Sequence, residues 1–212
     1  MKQHSLRFSF EARYCTLGAP GNTAWLVCHG YGQLAPYFIR NFSALADLGH
    51  YIVAPEGLSR FYLQDHKGRV GASWMTREER LNDIDNYLRY LDAVAEDSGL
   101  VQASEINLLG FSQGVATISR WAMHTTLAYQ KLVLWAGVFP PDLPLDLSSR
   151  CLQQVRLYQV WGEQDPFLNR EETEKQAANL RALKPAHFRE LSFKGEHSLH
   201  TPSLLEIVAE TD

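Results

Sequence analysis

Three side chains that together could activate a nucleophile are spread widely along the chain. Ser112 lies at the centre of the pentapeptide GFSQG, and Asp165 and His197 follow it further along the sequence. A serine hydroxyl is a weak nucleophile at neutral pH, so it needs a base to accept its proton and a third group to orient that base. Histidine and aspartate supply these two roles in serine hydrolysis. The three residues are therefore candidates for a nucleophile, a base and an orienting acid.

The residues around Ser112 match the pattern G-x-S-x-G between a strand and a helix. The apolar run 106–109 predicts the strand, and residues 115–122 predict the helix. In such a turn the serine backbone is strained, and the positions two before and two after it are crowded enough to favour glycine. The alternative is a glycine-flanked turn without chemistry. We predict that Ser112 is the nucleophile.

Asp165 and His197 each fall in a loop that follows a predicted strand. In a parallel sheet these loops gather at one edge, so both residues can meet Ser112. The chain order Ser, Asp, His is the one expected with this kind of serine turn. We favour this pair because each residue closely follows its strand. Other candidates stay open: His200 as the base, and Glu163, Asp142 or Asp146 as the acid.

A second glycine-rich stretch, HGYGQ at residues 29–33, follows the apolar run 24–28, which predicts a buried strand. Backbone N–H groups in such a loop can stabilise a developing oxyanion, and we predict the N–H groups of Tyr31 and Gln113 for this role. A plain strand-to-helix turn is the alternative. His29 could be a ligand or a base, but we favour a structural role in which hydrogen bonds hold its ring.

Strands and helices are predicted to alternate from residue 24 onward, which implies a mostly parallel sheet with helices on both faces. Residues 5–15 alternate between apolar and polar side chains and predict an antiparallel strand with one wet face. The connector 138–154, rich in proline, aspartate and serine, is too short for a large separate lid. We predict one domain over residues 1–212.

Two helices carry clear signals before the serine pattern. Residues 35–48 place apolar side chains at helical spacing and end at Gly49. Thr76 and Glu79 match a capping box, which predicts a helix that continues to about Asp97.

Residues 58–75 show no firm period, and a long irregular segment in a compact domain is usually functional or mobile. Phe61, Tyr62 and Trp74 in this segment could wall a pocket, or they could only pin the loop to the body of the protein.

The composition is that of a globular protein without an evident nucleic-acid or membrane partner. The chain has 212 residues, 45% hydrophobic and 21% charged, with a net charge of −4. Its three cysteines form no CxxC pattern, and H-E-x-x-H is absent, so no metal is expected. The N-terminus lacks the apolar core of a signal peptide, and no stretch reaches the length of a membrane span. We predict a cytoplasmic protein.

Four motifs together resemble the α/β-hydrolase superfamily and, within it, the phospholipase/carboxylesterase family that includes the acyl-protein thioesterases. They are HGYG at 29–32, GFSQG at 110–114, WGEQD at 161–165 and GEH at 195–197. The resemblance spans about residues 24–210. It implies an α/β-hydrolase fold without a large cap, and a serine hydrolase that cleaves carboxylic esters or thioesters without a cofactor.

Carried over by position, the resemblance implies a triad of Ser112, Asp165 and His197, with Tyr31 and Gln113 as oxyanion donors. It also places Trp74 beside the acyl pocket, and Phe111 of the GFSQG motif is a second predicted pocket residue. Two departures bear on the substrate. Residues 33–37 lack the acidic residue usual in acyl-protein thioesterases, and residues 58–75 are basic and aromatic in an unfamiliar way.

We therefore predict a serine esterase that forms an acyl-enzyme on a small-molecule ester, as a carboxylesterase, a thioesterase or a lysophospholipase. Short acyl chains are expected, because the sequence shows no large cap and no long apolar segment to sheath a lipid tail. Two alternatives stay open. One is a non-catalytic binding protein on the same fold, and the other is a triad hydrolase that acts on peptides or lactones.

Overall fold

The computed structural model describes residues 1–210, and a seven-stranded sheet forms its centre. The strands in chain order are β1 (Tyr14–Leu17), β2 (Thr23–Cys28), β3 (Tyr51–Pro55), β4 (Ser59–Gln64), β5 (Lys67–Ser73), β6 (Glu105–Phe111), β7 (Lys131–Trp135), β8 (Arg156–Gly162) and β9 (His187–Phe193). The order across the sheet is β1-β3-β2-β6-β7-β8-β9. Only β1 runs antiparallel to its neighbour in this sheet. The predicted mostly parallel sheet is confirmed.

Helices cover both faces of the sheet. They are α1 (Ala35–Phe38), α2 (Ser43–Asp47), α3 (Arg80–Asp97), α4 (Gln113–His124), α5 (Leu145–Leu152), α6 (Arg170–Ala182) and α7 (Thr201–Ala209). Buried side chains of α3, α4, α5 and α6 form one apolar cluster with one face of the sheet. Those of α1, α2 and α7 form a second cluster on the opposite face. Successive residues of β6 alternate between the clusters, as the pleat requires. None of the helices within residues 1–210 is both long and apolar enough to cross a bilayer.

The strand predicted at residues 5–15 is wrong in position, because strand structure begins only at Tyr14. Phe8 is 76% exposed, and Leu6 and Phe10 also point into solvent. The strand register explains why pairing begins only at Tyr14. Tyr14 lies opposite Pro55, the last residue of β3, so residues before Tyr14 have no strand to pair with.

The segment 58–75, expected to be irregular, is an antiparallel hairpin of β4 and β5. Its turn has φ of 38° at Asp65 and 71° at His66. Two positive φ values in succession are the mark of a type I′ hairpin turn, which usually carries Asn-Gly or Asp-Gly. The sequence has no glycine at either turn position, so the strongest hairpin signal is missing.

The capping box predicted at Thr76 and Glu79 is also wrong. Helix α3 begins at Arg80, and Glu79 precedes it in the left-handed region with φ of 51°. The Thr76 hydroxyl bonds the carbonyl of Glu78, and the Thr76 N–H donates to the carboxylate of Asp83. The chain therefore turns sharply before the helix starts.

Two further elements differ in detail from the prediction. Residues 35–48 form α1 and α2 with a 3-10 turn at Ile39–Phe42 between them, although Gly49 ends the run as expected. The connector 138–154 contains the short helix α5.

The buried carboxylate of Glu56 joins three parts of the chain around the end of β3. Its side chain is 1% exposed and accepts hydrogen bonds from Arg13 and Arg60, each at 2.8 Å. It also accepts the backbone N–H of Ala35 at 3.1 Å. Arg13 precedes β1, Arg60 lies in β4 and Ala35 starts α1. Glu56 therefore attaches the N-terminal segment and the hairpin to the chain that follows the HGYGQ loop (residues 29–33).

Burial raises the pKa of Glu56, but the hydrogen bonds from Arg13, Arg60 and Ala35 outweigh it, so the pKa falls below its ordinary value of 4.5. A carboxyl group whose pKa is lowered by folding stabilises the folded state above its unfolded pKa. That contribution is lost as the pH falls through the lowered value.

Glu56→Gln should lower the free energy of unfolding by about 2 kcal/mol at pH 7, because the charge that accepts both arginine donors is removed. The deficit should shrink as the pH falls from 4.5 through the lowered folded-state pKa, because the wild-type carboxyl then also becomes neutral. Urea denaturation of both proteins at several pH values measures it. Glu96→Gln on the exposed side of α3 serves as the control. A deficit that stays constant from pH 7 to well below 4.5 would contradict the assignment.

Candidate active site

Ser112 stands at the turn between β6 and α4 with φ of 54° and ψ of −118°. Residues other than glycine rarely adopt positive φ, and such backbone strain costs about 1–3 kcal/mol. Two hydrogen bonds hold the turn in place. The Ser112 N–H donates to the Trp135 carbonyl at 2.8 Å, and the Ser112 carbonyl accepts the Val115 N–H at 3.0 Å. The side chain is thereby presented where β6 ends and α4 begins.

Two glycines make this serine turn (residues 110–114) possible. A Cβ atom added to Gly114 would lie 2.1 Å from the carbonyl oxygen of Cys28 in β2. One added to Gly110 would lie 2.3 Å from the carbonyl oxygen of Gly114. Both distances are far inside van der Waals contact, so a side chain at either position would force the backbone apart. The crowding expected around Ser112 is present.

Asp165 and His197 are joined by a hydrogen bond of 2.7 Å between Asp165 Oδ2 and His197 Nδ1. The other oxygen, Asp165 Oδ1, accepts the Phe167 N–H at 2.9 Å. The Asp165 side chain is fully buried, and that of His197 is 19% exposed. Because a carboxylate can only accept hydrogen bonds, Nδ1 must carry the proton. In the neutral ring, Nε2 is then left free to accept one.

The imidazole of His197 lies beside the serine turn. Its ring centroid is 4.9 Å from that of Phe111, which immediately precedes Ser112, and 4.9 Å from that of Phe167. Within residues 1–210, no hydrogen bond joins the Ser112 hydroxyl to His197. In hydrolases without substrate this bond is often long and tightens when substrate binds.

The alternative acids and bases have other partners. His200 stacks on Phe193, and its Nδ1 lies 2.9 Å from Ser203 Oγ at the start of α7. Glu163 accepts a hydrogen bond from Ser192 at 3.0 Å. Asp142 forms ion pairs with two arginines, Arg80 and Arg120, and Asp146 lies in the first turn of α5. Of the two histidines, only His197 is hydrogen-bonded to Asp165.

The HGYGQ loop lies directly against the serine turn, since a Cβ added to Gly30 would be 3.1 Å from Ser112 Cβ. In the described part of the chain, the backbone N–H groups of Tyr31 and Gln113 have no acceptor in the protein. These two donors are free to bind a ligand oxygen.

Strand β5 supports this loop by main-chain pairing. The Gly32 N–H donates to the Ala72 carbonyl at 2.9 Å, and the Ala72 N–H donates to the Gln33 carbonyl at 3.0 Å. The Tyr31 and Phe61 rings also pack together, with centroids 5.0 Å apart. Phe61 therefore pins the hairpin to the HGYGQ loop, whereas Tyr62 is 55% exposed.

His29 has the structural role that we favoured. Its Nδ1 lies 2.7 Å from the Gly30 carbonyl, and its Nε2 accepts the Gly57 N–H at 2.9 Å. The ring is completely buried, and this burial lowers the pKa of His29. The neutral imidazole thus bridges the HGYGQ loop and the chain after β3.

Trp74, which was predicted to lie beside the substrate pocket, is buried against the HGYGQ loop. It is 2% exposed, and its indole N–H donates to the His29 carbonyl at 2.8 Å. A buried indole N–H usually has a hydrogen-bond partner, and in this protein the partner is a carbonyl of the HGYGQ loop. Phe111 is likewise buried, at 3% exposed, and borders the site through its ring contact with His197.

The side chain of Gln113 has a role that the sequence did not indicate. Its oxygen accepts the backbone N–H of Trp74 at 3.1 Å, and its amide nitrogen donates to the Met75 carbonyl at 2.9 Å. It therefore fastens the end of the hairpin to the serine turn. These contacts could not be anticipated without the hairpin itself. Among residues 1–210, no group of three or more histidine, cysteine or acidic side chains is arranged to hold a metal ion.

Gly114→Ala should lower the free energy of unfolding by about 3 kcal/mol, because the added methyl group collides with the Cys28 carbonyl and the backbone must move. Urea denaturation measures the loss. Gly21→Ala is the matched control: its nearest neighbours would be 3.7 Å away, so a change below about 0.5 kcal/mol is expected. Equal stability of the two variants would contradict the described packing.

Comparison with solved structures shows the same fold in proteins of low sequence identity. Acyl-protein thioesterase 2 of Zea mays superposes with a TM-score of 0.70 at 14% identity, covering 93% of this chain and 96% of that chain. Esterase PE8 gives a TM-score of 0.69 at 18% identity, covering 93% and 100%. A thioesterase domain from the curacin biosynthetic pathway gives 0.63 at 14%, covering 93% and 94%. No curated protein matches the chain significantly by sequence.

A family model described as phospholipase/carboxylesterase matches residues 18–210, which is nearly the whole chain. The matched range contains the HGYGQ loop, the serine turn and the hydrogen-bonded pair of Asp165 and His197. The fold predicted by resemblance, an α/β-hydrolase with a mostly parallel sheet, agrees with both comparisons. The chain therefore belongs to the phospholipase/carboxylesterase family.

Proposed function

We propose that the protein hydrolyses carboxylic esters or thioesters with Ser112 as nucleophile, His197 as general base and Asp165 as orienting acid. The observation that carries the proposal is the 2.7 Å bond between Asp165 and His197, held beside a serine whose φ is 54°. Family membership supports a hydrolase that acts on esters. The cytoplasmic location stays a prediction from the sequence.

The acylation step would begin when Ser112 Oγ attacks the carbonyl carbon and its proton passes to His197 Nε2. Asp165 accepts the Nδ1 proton in a hydrogen bond and so stabilises the imidazolium that forms. The negative charge on the former carbonyl oxygen would be held by the free N–H groups of Tyr31 and Gln113. Collapse of this intermediate breaks the ester bond, and His197 returns the proton to the leaving alcohol or thiol.

Deacylation repeats the same steps with water. His197 takes a proton from the water as the water oxygen attacks the carbonyl carbon of the acyl-enzyme. The same two N–H groups hold the second oxyanion. The bond to Ser112 Oγ then breaks, and His197 protonates that oxygen. The carboxylic acid is released, and the enzyme returns to its starting state without any cofactor taking part.

Ser112→Ala should reduce kcat for p-nitrophenyl acetate by about a thousandfold or more, because the attacking oxygen is removed. A fluorophosphonate probe should label the wild-type protein at Ser112 and leave the variant unlabelled, as read by mass spectrometry. Ser104→Ala, just before the other end of β6, is the matched control and should keep activity and labelling.

Equal activity of wild type and Ser112→Ala, or labelling at another residue, would overturn the assignment of Ser112. If the wild-type protein neither hydrolyses any ester nor reacts with the probe, a binding protein on the same fold becomes the better explanation. A panel of esters, thioesters, peptides and lactones identifies the class of bond that is cleaved.

Asp165→Asn should lower kcat by about a thousandfold or more while leaving the fold intact, because an amide does not enforce the Nδ1-protonated tautomer of His197. Steady-state kinetics together with circular dichroism measure both effects. Glu163→Gln, two residues earlier in the same loop, is the control and should retain activity. A larger loss in Glu163→Gln than in Asp165→Asn would assign the orienting role to Glu163.

A further inference from the structure

The segment before β1 exposes apolar side chains that the rest of the protein leaves uncovered. Leu6 is 86% exposed, Phe8 76% and Phe10 58%. The ring centroids of Phe8 and Phe10 lie 6.5 Å apart, as expected for residues two apart on one side of an extended chain. Single exposed apolar residues are ordinary, but a contiguous row of them marks an interaction site. Residues 3–13 are termed the arm.

Polar side chains hold the arm to the body of the protein. The Gln3 amide donates to the Glu79 carboxylate, just before α3, at 2.6 Å. Arg7 forms an ion pair of 3.6 Å with Asp85 in α3. The arm is therefore attached to the protein surface through its polar side chains, whereas its apolar side chains face solvent.

The backbone of the arm is also unpaired. Within residues 1–210, the N–H and C=O groups of residues 2–12 form no hydrogen bond with the protein. Backbone pairing starts at Arg13, whose carbonyl accepts the Glu56 N–H at 3.3 Å, and β1 then begins at Tyr14 on the edge of the sheet. Free backbone donors and acceptors that continue an edge strand are a template for pairing with another strand. The family model begins at residue 18, so the arm lies outside the part of the chain that matches the family.

The arm is complementary to itself when two copies run antiparallel about Ser9. In that register Arg7 of each copy lies opposite Glu11 of the other, and Phe8 lies opposite Phe10. Because such a pair is two-fold symmetric, each of these contacts occurs twice. Opposite charges and aromatic rings that face each other across two strands both stabilise the pairing.

The neighbouring registers are less favourable. A centre at Phe8 places Arg7 opposite Ser9, and a centre at Phe10 places Arg7 opposite Arg13, a like charge. A centre between two residues places apolar side chains opposite polar ones. Of these registers, only the one about Ser9 pairs opposite charges.

We propose that the arm binds the arm of a second copy of this chain as an antiparallel ribbon about Ser9, and so forms a symmetric dimer. Isolated two-stranded ribbons are marginally stable in water. Here each strand continues into β1 of the seven-stranded sheet and is tethered to the body by Gln3 and Arg7. The paired stretch 5–13 spans about 30 Å. A dimer of this size is weak and depends on protein concentration. The inference does not rest on the proposed function.

Charge reversal tests the register. Arg7→Glu sets glutamates opposite each other at both contacts, and Glu11→Arg does the same with arginines, so each variant alone should dimerise about tenfold more weakly than the wild type. An equimolar mixture of the two variants restores opposite charges and should form a heterodimer about as readily as the wild type forms its dimer. Sedimentation velocity at protein concentrations of about 5 to 200 μM measures the association. Asp85→Asn removes the partner of Arg7 on its own chain and, as the control, should change dimerisation by less than about twofold.

Removal of an aromatic ring tests the apolar contact. Phe8→Ser should weaken dimerisation by about tenfold or more, because an aromatic side chain is lost from the centre of the ribbon in both copies. Leu145 on α5 is 73% exposed, and Leu145→Ser is the matched control, which should change dimerisation by less than about twofold. Circular dichroism verifies that each variant folds like the wild type.

A concentration-dependent dimer that both charge reversals weaken and their mixture restores supports the proposal. A wild-type protein that stays monomeric overturns it, as does a mixture of Arg7→Glu and Glu11→Arg that stays monomeric. Equal losses in Phe8→Ser and Leu145→Ser would place the interface elsewhere and refute the arm. If a monomeric wild-type protein instead binds phosphatidylglycerol vesicles and Phe8→Ser abolishes that binding, the apolar side chains contact a membrane and the dimer is refuted.

Discussion

The close approach of Gly114 to the carbonyl of Cys28 is the contact on which the loops around Ser112 depend. It seats the start of α4 against the end of β2, so the HGYGQ loop emerges next to the serine. The hydrogen bond from Ser112 to the Trp135 carbonyl attaches the end of β7 to the same turn. A side chain at position 114 would separate β2 from α4. The HGYGQ loop, which continues β2, could then no longer lie against the serine turn.

The positions of Ser112, Asp165 and His197 were predictable because each residue follows a predicted strand. Strands that alternate with helices imply a parallel sheet, and parallel strands deliver their following loops to one edge. Only this topological rule is needed to bring Asp165 and His197 together, and the structure joins them at 2.7 Å. The sequence favoured His197 over His200 only because it lies nearer the end of its strand, and the coordinates add that His197, not His200, is hydrogen-bonded to Asp165.

The elements that the sequence failed to predict lack a local signal. The start of β1 is set by the end of β3, the hairpin pairs with the HGYGQ loop, and α3 begins after a turn held by Thr76. Asp65 and Glu79 hold positive φ without being glycine, so no local signal marks either turn. Trp74 is aromatic in a segment that resembled a loop, and its burial depends on a hydrogen bond to the His29 carbonyl and on ring contacts with His29 and Tyr87. For β1, the hairpin and Trp74, a partner distant in sequence overrides the local pattern.

Glu56 and the hairpin show how the region around the free N–H groups of Tyr31 and Gln113 is held from outside the sheet. The ion pairs of Glu56 attach β4 and the chain before β1 to the start of α1. Gln113 fastens the other end of the hairpin to the serine turn. The N–H groups of Tyr31 and Gln113 therefore belong to one hydrogen-bonded body. This preorganisation matters because donors that need no rearrangement stabilise charge most effectively.

The pairing of Ala72 with the HGYGQ loop restricts how this hairpin can vary in length. Residues can be inserted or deleted at the Asp65–His66 turn, because that end projects away from the paired region. A single deletion between Ala72 and Trp74 would instead shift the strand by one residue, turn its side chains to the opposite face and break the bonds to Gly32 and Gln33. Changes in length are therefore expected to be tolerated at the tip of the hairpin, where a grafted loop would leave the pairing of Ala72 with the HGYGQ loop intact.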